Sequence, residues 1–159
     1  MDKIYEICFS PTGGTKRVAA ILAKALADET VSVDLTVRDV DFGSVTLGKD
    51  DVAMIAVPSY SGRVPAVAAA CLAEMHGNGA RAILVCVYGN RAYEDTLVGL
   101  RDTASRAGFT VIEEIHNSLS TQLGSFASMA PTGHFAAQTP HFTHARVALG
   151  SIPAPAALR

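Results

Sequence analysis

The residues best suited to chemistry lie between Phe9 and Ala19, in the stretch FSPTGGTKRVA. Paired glycines let a backbone turn its N–H groups inward, and a helix that starts just after them adds a partial positive charge. Ser10, Thr12 and Thr15 can each donate a hydroxyl hydrogen bond to a phosphate oxygen. Lys16 and Arg17 stand close by, in positions that run along the helix surface. Named phosphate loops fail on spacing. A Walker A loop needs a hydroxyl residue directly after its lysine, and Arg17 follows Lys16 instead. The dinucleotide fingerprint needs a third glycine, which is absent after the adjacent Gly13 and Gly14. A thiol phosphatase loop built on Cys8 would place an arginine where Gly14 stands. A tight turn with a hydroxyl helix cap would use the same residues. As a cradle, the stretch lacks a dedicated cation and suits a terminal monophosphate better than a magnesium-bound triphosphate.

Two more segments have unusual chemistry, PSYSGRVP (58–65) and YGNRAYED (88–95). Each combines tyrosine, glycine and polar side chains. A flat heteroaromatic ligand wants a ring to stack on, and glycine permits close backbone approach to its polar edge. Tyr60 is the first stacking candidate, with Tyr88 and Tyr93 behind it. Asn90 can bond ring heteroatoms, and Arg63 can face a negative charge. Two surface turns whose tyrosines pack on a sheet rim would look the same taken singly.

These segments need a frame, and the hydropathy pattern supplies one. KIYEICF (3–9), VSVDLTV (31–37), VAMIAVP (52–58), AILVCVY (82–88) and FTVIEEI (109–115) read as strands. VAMIAVP and AILVCVY are apolar throughout, as strands covered on both faces must be. Between the strands, Val18, Ile21, Leu22 and Ala25 recur on one face of a helix, 66–75 is helical up to Gly77-Asn78-Gly79, and Leu97, Leu100 and Ala104 mark a helix over 93–108. Within the polar stretch 38–50, Phe42 and Leu47 are the expected contacts with the body. Strands alternating with helices predict a parallel sheet with helices on both faces. Ligands of such sheets bind beyond the carboxyl ends of the strands, where the strand order reverses. The three unusual segments directly follow the first, third and fourth strands.

In this order and spacing, FSPTGGTKRVA, VPSYSGRVP and VYGNRAYED resemble the flavodoxin family, and most of all the flavodoxin-like domains that are followed by a ferredoxin-type 4Fe-4S module in many proteins. The resemblance covers Lys3 to about Glu114. It implies an α/β fold, a flavodoxin-like three-layer sandwich around a five-stranded parallel sheet of order 2-1-3-4-5, with non-covalent FMN. By motif position, Ser10, Thr12, Gly13, Gly14 and Thr15 would hold the phosphate. Ser59, Tyr60, Ser61 and Gly62 would flank one side of the isoalloxazine, and Tyr88, Gly89, Asn90 and Tyr93 the other. A backbone carbonyl at Gly62 or Gly89 that turns over to meet the reduced ring is a device the family uses. The implied activity is electron transfer with a redox partner such as a ferredoxin-type protein or a reductase. No residue of the chain is expected to act as a catalytic acid or base. The alternatives are a flavodoxin-fold module that no longer retains flavin, and an FMN-dependent NAD(P)H or quinone reductase.

The bulk properties agree with one domain. The chain has 159 residues, 49% of them hydrophobic and 18% charged, with a formal charge of −2. That balance gives no case for nucleic acid or an anionic membrane surface. No apolar run approaches the ~20 residues of a bilayer span, and no signal-peptide pattern opens the sequence, so the expected location is cytoplasmic. The three cysteines, Cys8, Cys71 and Cys86, are far apart in apolar segments and read as buried small hydrophobes. Residues 1–115 are the expected domain core. Residues 116–159 depart from the family: Asp, Glu and Lys are absent there, and Pro131, Pro140, Pro153 and Pro155 interrupt any long helix. A shifted reading frame or a genuine variant tail would each give this character. A sheet face left uncovered by it would favour a homodimer. His134, His141 and His144 match no metal-ligand spacing, and no metal is expected.

Overall fold

The computed structural model describes residues 2–89 and 94–118. Five strands form one parallel sheet: β1 (Lys3–Cys8), β2 (Glu29–Asp34), β3 (Val52–Pro58), β4 (Arg81–Tyr88) and β5 (Thr110–Ser118), in the order β2-β1-β3-β4-β5. Helices α1 (Gly14–Leu26), α2 (Ala66–Glu74) and α3 (Glu94–Arg106) connect them, with a 3₁₀ turn at Phe42–Ser44. This is the flavodoxin-like α/β arrangement that the motif order implies.

Strand pleating sends successive side chains to opposite faces and so sorts the core into two layers. On one face Ile7, Phe9, Ala53, Ile55, Val57 and Leu84 pack with Leu72 of α2 and Leu97, Leu100 and Ala104 of α3. The alternate residues Ile4, Cys8, Met54, Ile83 and Val85 are equally buried and lie on the face that α1 covers. Phe42 and Leu47 are buried, as the polar stretch requires of its two anchors.

The buried stripe of α1 is Thr15, Val18, Ala19, Leu22 and Ala23. The expected face included Ile21 and Ala25, and both are exposed. The rows Thr15–Ala19–Ala23 and Val18–Leu22 replace them, because alanines let the helix axis approach the sheet more closely than Ile21 would. Strand β2 also differs from its predicted span of 31–37. It begins at Glu29 and stops at Asp34, whose carboxylate accepts hydrogen bonds from both the amide and the hydroxyl of Thr36. This local turn ends the strand before Val37. At the other edge β5 continues past Ile115 to Ser118, paired to Tyr88, and a bulge opposite Ala82 and Ile83 leaves Ile112 unpaired. The strand therefore runs past the boundary expected at residue 115. The expectations for the rest of the tail, including His134, His141 and His144, lie outside the described residues.

Among the described residues, one charged group sits in this core. Glu6 of β1 is 5% exposed, on the α1 face. Burial raises its carboxyl above the usual 4.5 and Asp34 adds to this, while the nearby Lys16 pulls the other way. A raised carboxyl pKa contributes stability that is complete below the unfolded value and lost as pH rises through the folded value. Glu6→Gln is accordingly expected to raise the melting temperature at pH 7–8, with the gain vanishing near pH 4. A less stable Gln variant at neutral pH would mean that attraction to Lys16 outweighs the cost of burial.

Candidate functional site

The connection from β1 leads toward β2 on one side of the sheet, and the later strands are laid down on the other. The strand order thus reverses between β1 and β3, and the loops following those strands border the crevice. Their bases are fixed by pairing that continues beyond the strand ends. The Phe9 amide donates to the Ala56 carbonyl at 2.9 Å, and the Ser59 amide donates to the Val87 carbonyl at 2.8 Å.

After β1, Ser10 to Gly13 form a turn closed by the Gly13 amide on the Ser10 carbonyl. Gly13 has φ +83, the left-handed conformation in which a side chain is strained, and space beyond the place of a Cβ is open. Helix α1 starts at the next residue, which leaves its first amides to be satisfied from outside. The Ser10 hydroxyl accepts from the Lys16 amide at 2.9 Å, and Gly13 O accepts from Arg17. The amides of Thr12, Gly14 and Thr15 donate to no acceptor among the described residues. Free amide donors grouped at a helix N-terminus are what an anion requires.

The five residues expected here have different roles. Ser10 caps the helix. Thr12 and Gly13 are exposed at the turn, and Gly14 is half-buried. Thr15 is buried in the row that packs on the sheet, and its amide is one of the three without an acceptor. The ammonium of Lys16 lies 3.5 Å from an Asp34 oxygen, along the helix flank. Hydrogen bonds from Thr36 hold the Asp34 carboxyl below its ordinary value, against burial, and Lys16 adds to the effect. Beneath the loop, burial pushes the Cys8 thiol up to about 12, with the Glu6 and Asp34 charges adding to it. Such a thiol is no nucleophile at neutral pH.

After β3, Tyr60 and Arg63 exchange backbone hydrogen bonds, each 3.0 Å. The two residues between them, Ser61 at φ 52 and Gly62 at φ 77, both have positive φ, which defines a tight hairpin turn of the I′ type. The turn holds out the Tyr60 ring, 48% exposed. A serine in the left-handed region at such a place is a strained residue in a candidate site. After β4, Tyr88 is half-buried, with its ring tilted 46° to that of His116 at a centroid separation of 6.2 Å. Gly89 is exposed. Asn90 and Tyr93 lie outside the described residues. The fold thus gathers Ser10–Thr15, Ser59–Gly62, Tyr88 and Gly89 at one end of the sheet.

Sequence reasoning missed Thr96. This residue of α3 is completely buried, and its hydroxyl lies 2.7 Å from that of Ser59. It also meets the Cys86 thiol, which burial pushes up to about 12 and which Thr96 draws slightly back. The signal was a hydroxyl residue standing beside Leu97, one turn before Leu100, on the apolar stripe of the helix.

Solved structures that share the fold include a flavodoxin, a flavodiiron core and a flavoprotein in complex with FMN. The chain is similar to a flavodoxin from Streptococcus pneumonia TIGR4, with a TM-score of 0.54 and 20% identity over 73% of this chain and 83% of that one. It is similar to the flavodiiron core of Flv1 from Synechocystis sp. PCC6803, with a TM-score of 0.54 and 14% identity over 74% of this chain; the chain spans 30% of that protein's length. A flavoprotein in complex with FMN from Lactobacillus acidophilus NCFM matches with a TM-score of 0.51 and 12% identity, over 72% of this chain and 92% of that one. No protein-family model and no curated protein matches the chain. At these identities the likeness establishes the flavodoxin-like fold. Among the described residues, no helix is long and apolar enough to cross a membrane.

Proposed function

We propose that the chain binds FMN non-covalently and passes electrons through it to and from a redox partner protein. The observation that carries this reading is the juxtaposition at the strand-order reversal of three unpaired amides, at Thr12, Gly14 and Thr15, with the exposed ring of Tyr60. A monophosphate suits the first and a flat heteroaromatic ring the second, and FMN carries both. The left-handed Gly13 supports the fit, since any side chain there would strain the turn that directs the amides. Fold neighbours that are flavodoxins, and one solved with FMN, favour the same ligand.

FMN, when bound, would supply the redox chemistry; the chain's own residues bind it and set its surroundings. The Thr12, Gly14 and Thr15 amides would hold the phosphate, with the Thr12 hydroxyl beside them. Tyr60 would cover one face of the ring and exclude water from it. Gly62 and Gly89 would let the backbone approach the ring's polar edge closely, with Tyr88 along its other side. Tyr60→Ala is expected to shift the visible absorbance of added FMN relative to wild type and to change its midpoint potential, with phosphate recognition intact. An unchanged spectrum would show that Tyr60 is not the stacking ring.

A further inference from the structure

We propose that Thr96 is a positioning residue whose hydroxyl, bonded to that of Ser59, fixes the stance of the hairpin 59–63 and so ties one wall of the site to the helix behind the other. The part that concerns ligand affinity rests on the FMN reading; the part that concerns the hairpin does not.

The argument is geometric. Ser59 begins the loop, and its backbone is held by one bond, from its amide to Val87 O at 2.8 Å. The second constraint is the 2.7 Å contact between the Ser59 and Thr96 hydroxyls, which reaches across 37 positions of sequence. Beyond Ser59 the hairpin is internally closed by the reciprocal Tyr60–Arg63 bonds, so it moves as a unit. Its far end runs into Val64, which packs on the core, and Pro65, which opens α2, so Ser59 sets the orientation of the end that leaves β3. Thr96 is well suited to set it, because it is 0% exposed and sits in the first turn of α3, a helix seated on β4 and β5. Its neighbours Leu97 and Leu100 are core residues, which keeps the hydroxyl from turning to solvent. Helix α3 also begins shortly after the loop that follows β4. A ligand seated against the hairpin would thus meet a wall whose stance depends on this hydroxyl pair at its Ser59 end. The Tyr60 ring projects from the hairpin, so a small rotation at Ser59 becomes a larger displacement of the ring.

Thr96→Val keeps the shape of the side chain and removes the hydroxyl, while Thr96→Ser keeps the hydroxyl. Hydrogen exchange of the ligand-free protein reads the bonded amides of Ser59, Tyr60 and Arg63. Thr96→Val is expected to speed their exchange about tenfold and to weaken FMN binding by about tenfold, the size of effect produced when a buried hydroxyl loses its partner. Exchange in the central strands should be unaltered, and Thr96→Ser should restore both quantities. Unchanged exchange at the three amides in a folded Thr96→Val protein would overturn the proposal. So would equal acceleration throughout the sheet, which marks general destabilisation. Should Thr96→Val not fold, Ser59→Ala removes the same bond from the half-exposed side, and the same amides decide. Failure of the wild-type protein to bind FMN would sink the functional reading, and the exchange result would still judge the hairpin.

Discussion

Thr12→Asp is expected to weaken FMN binding by about a hundredfold while leaving riboflavin binding unaltered. Thr12 is exposed in the turn after β1, so the substitution is compatible with folding. Its carboxylate would stand beside the three amides of Thr12, Gly14 and Thr15. Two unit charges about 5 Å apart in a partly screened site repel by roughly 3 kcal/mol, which corresponds to the stated loss. The carboxylate would also accept from the amides that the phosphate needs. Riboflavin carries the same ring without the phosphate and is therefore the control. Equal weakening of both ligands would place the effect at the ring, and no effect on either would remove the turn from the site.

Gly77→Ala is expected to cost about 3 kcal/mol of stability, the upper end of what overpacking usually costs, and to lower the melting temperature by on the order of 10 °C. A Cβ at this position would lie 2.7 Å from both Gly108 C and Phe109 N, and 2.8 Å from Phe109 Cγ. None of these can give way cheaply. The Gly77 amide donates to Ala107 O and the Gly79 amide to Gly108 O, both at 2.7 Å, so the turn before β4 and the turn before β5 are locked backbone to backbone. Gly108, at φ +87, ends α3 with the Phe109 amide reaching back to Ala104 O. Both turns lie at the amino ends of the strands, away from the candidate site. FMN affinity of the folded variant should therefore match wild type, and a fall of less than about 2 °C would contradict the account of this contact.

The continuous apolar runs at 52–58 and 82–88 made the central strands legible, because a strand covered on both faces has no polar side to show. The three loops were legible for a related reason: glycine, tyrosine and hydroxyl residues are uncommon directly after such runs. Other features depended on tertiary context. Ile21 is as apolar as Leu22, and only the closeness allowed by Ala19 and Ala23 turned it outward. Asp34 reads as one polar position of an alternating strand until Thr36 folds back to it. The role of Gly77 was hidden as well, since it appeared as a helix stop and proved to be a contact between two turns 31 positions apart in sequence. Thr96 was overlooked because hydropathy patterns record which face of a helix is apolar, and a lone hydroxyl on that face acquires meaning only when Ser59 is placed beside it.

The central claim is that the three loops at the reversal of strand order form an FMN site. Its most direct test is titration of the purified full chain into FMN, followed by flavin fluorescence, with riboflavin run in parallel. Saturable quenching of FMN at one equivalent of protein, with markedly weaker binding of riboflavin, is the predicted result. Colourless protein that leaves FMN fluorescence unquenched would contradict it.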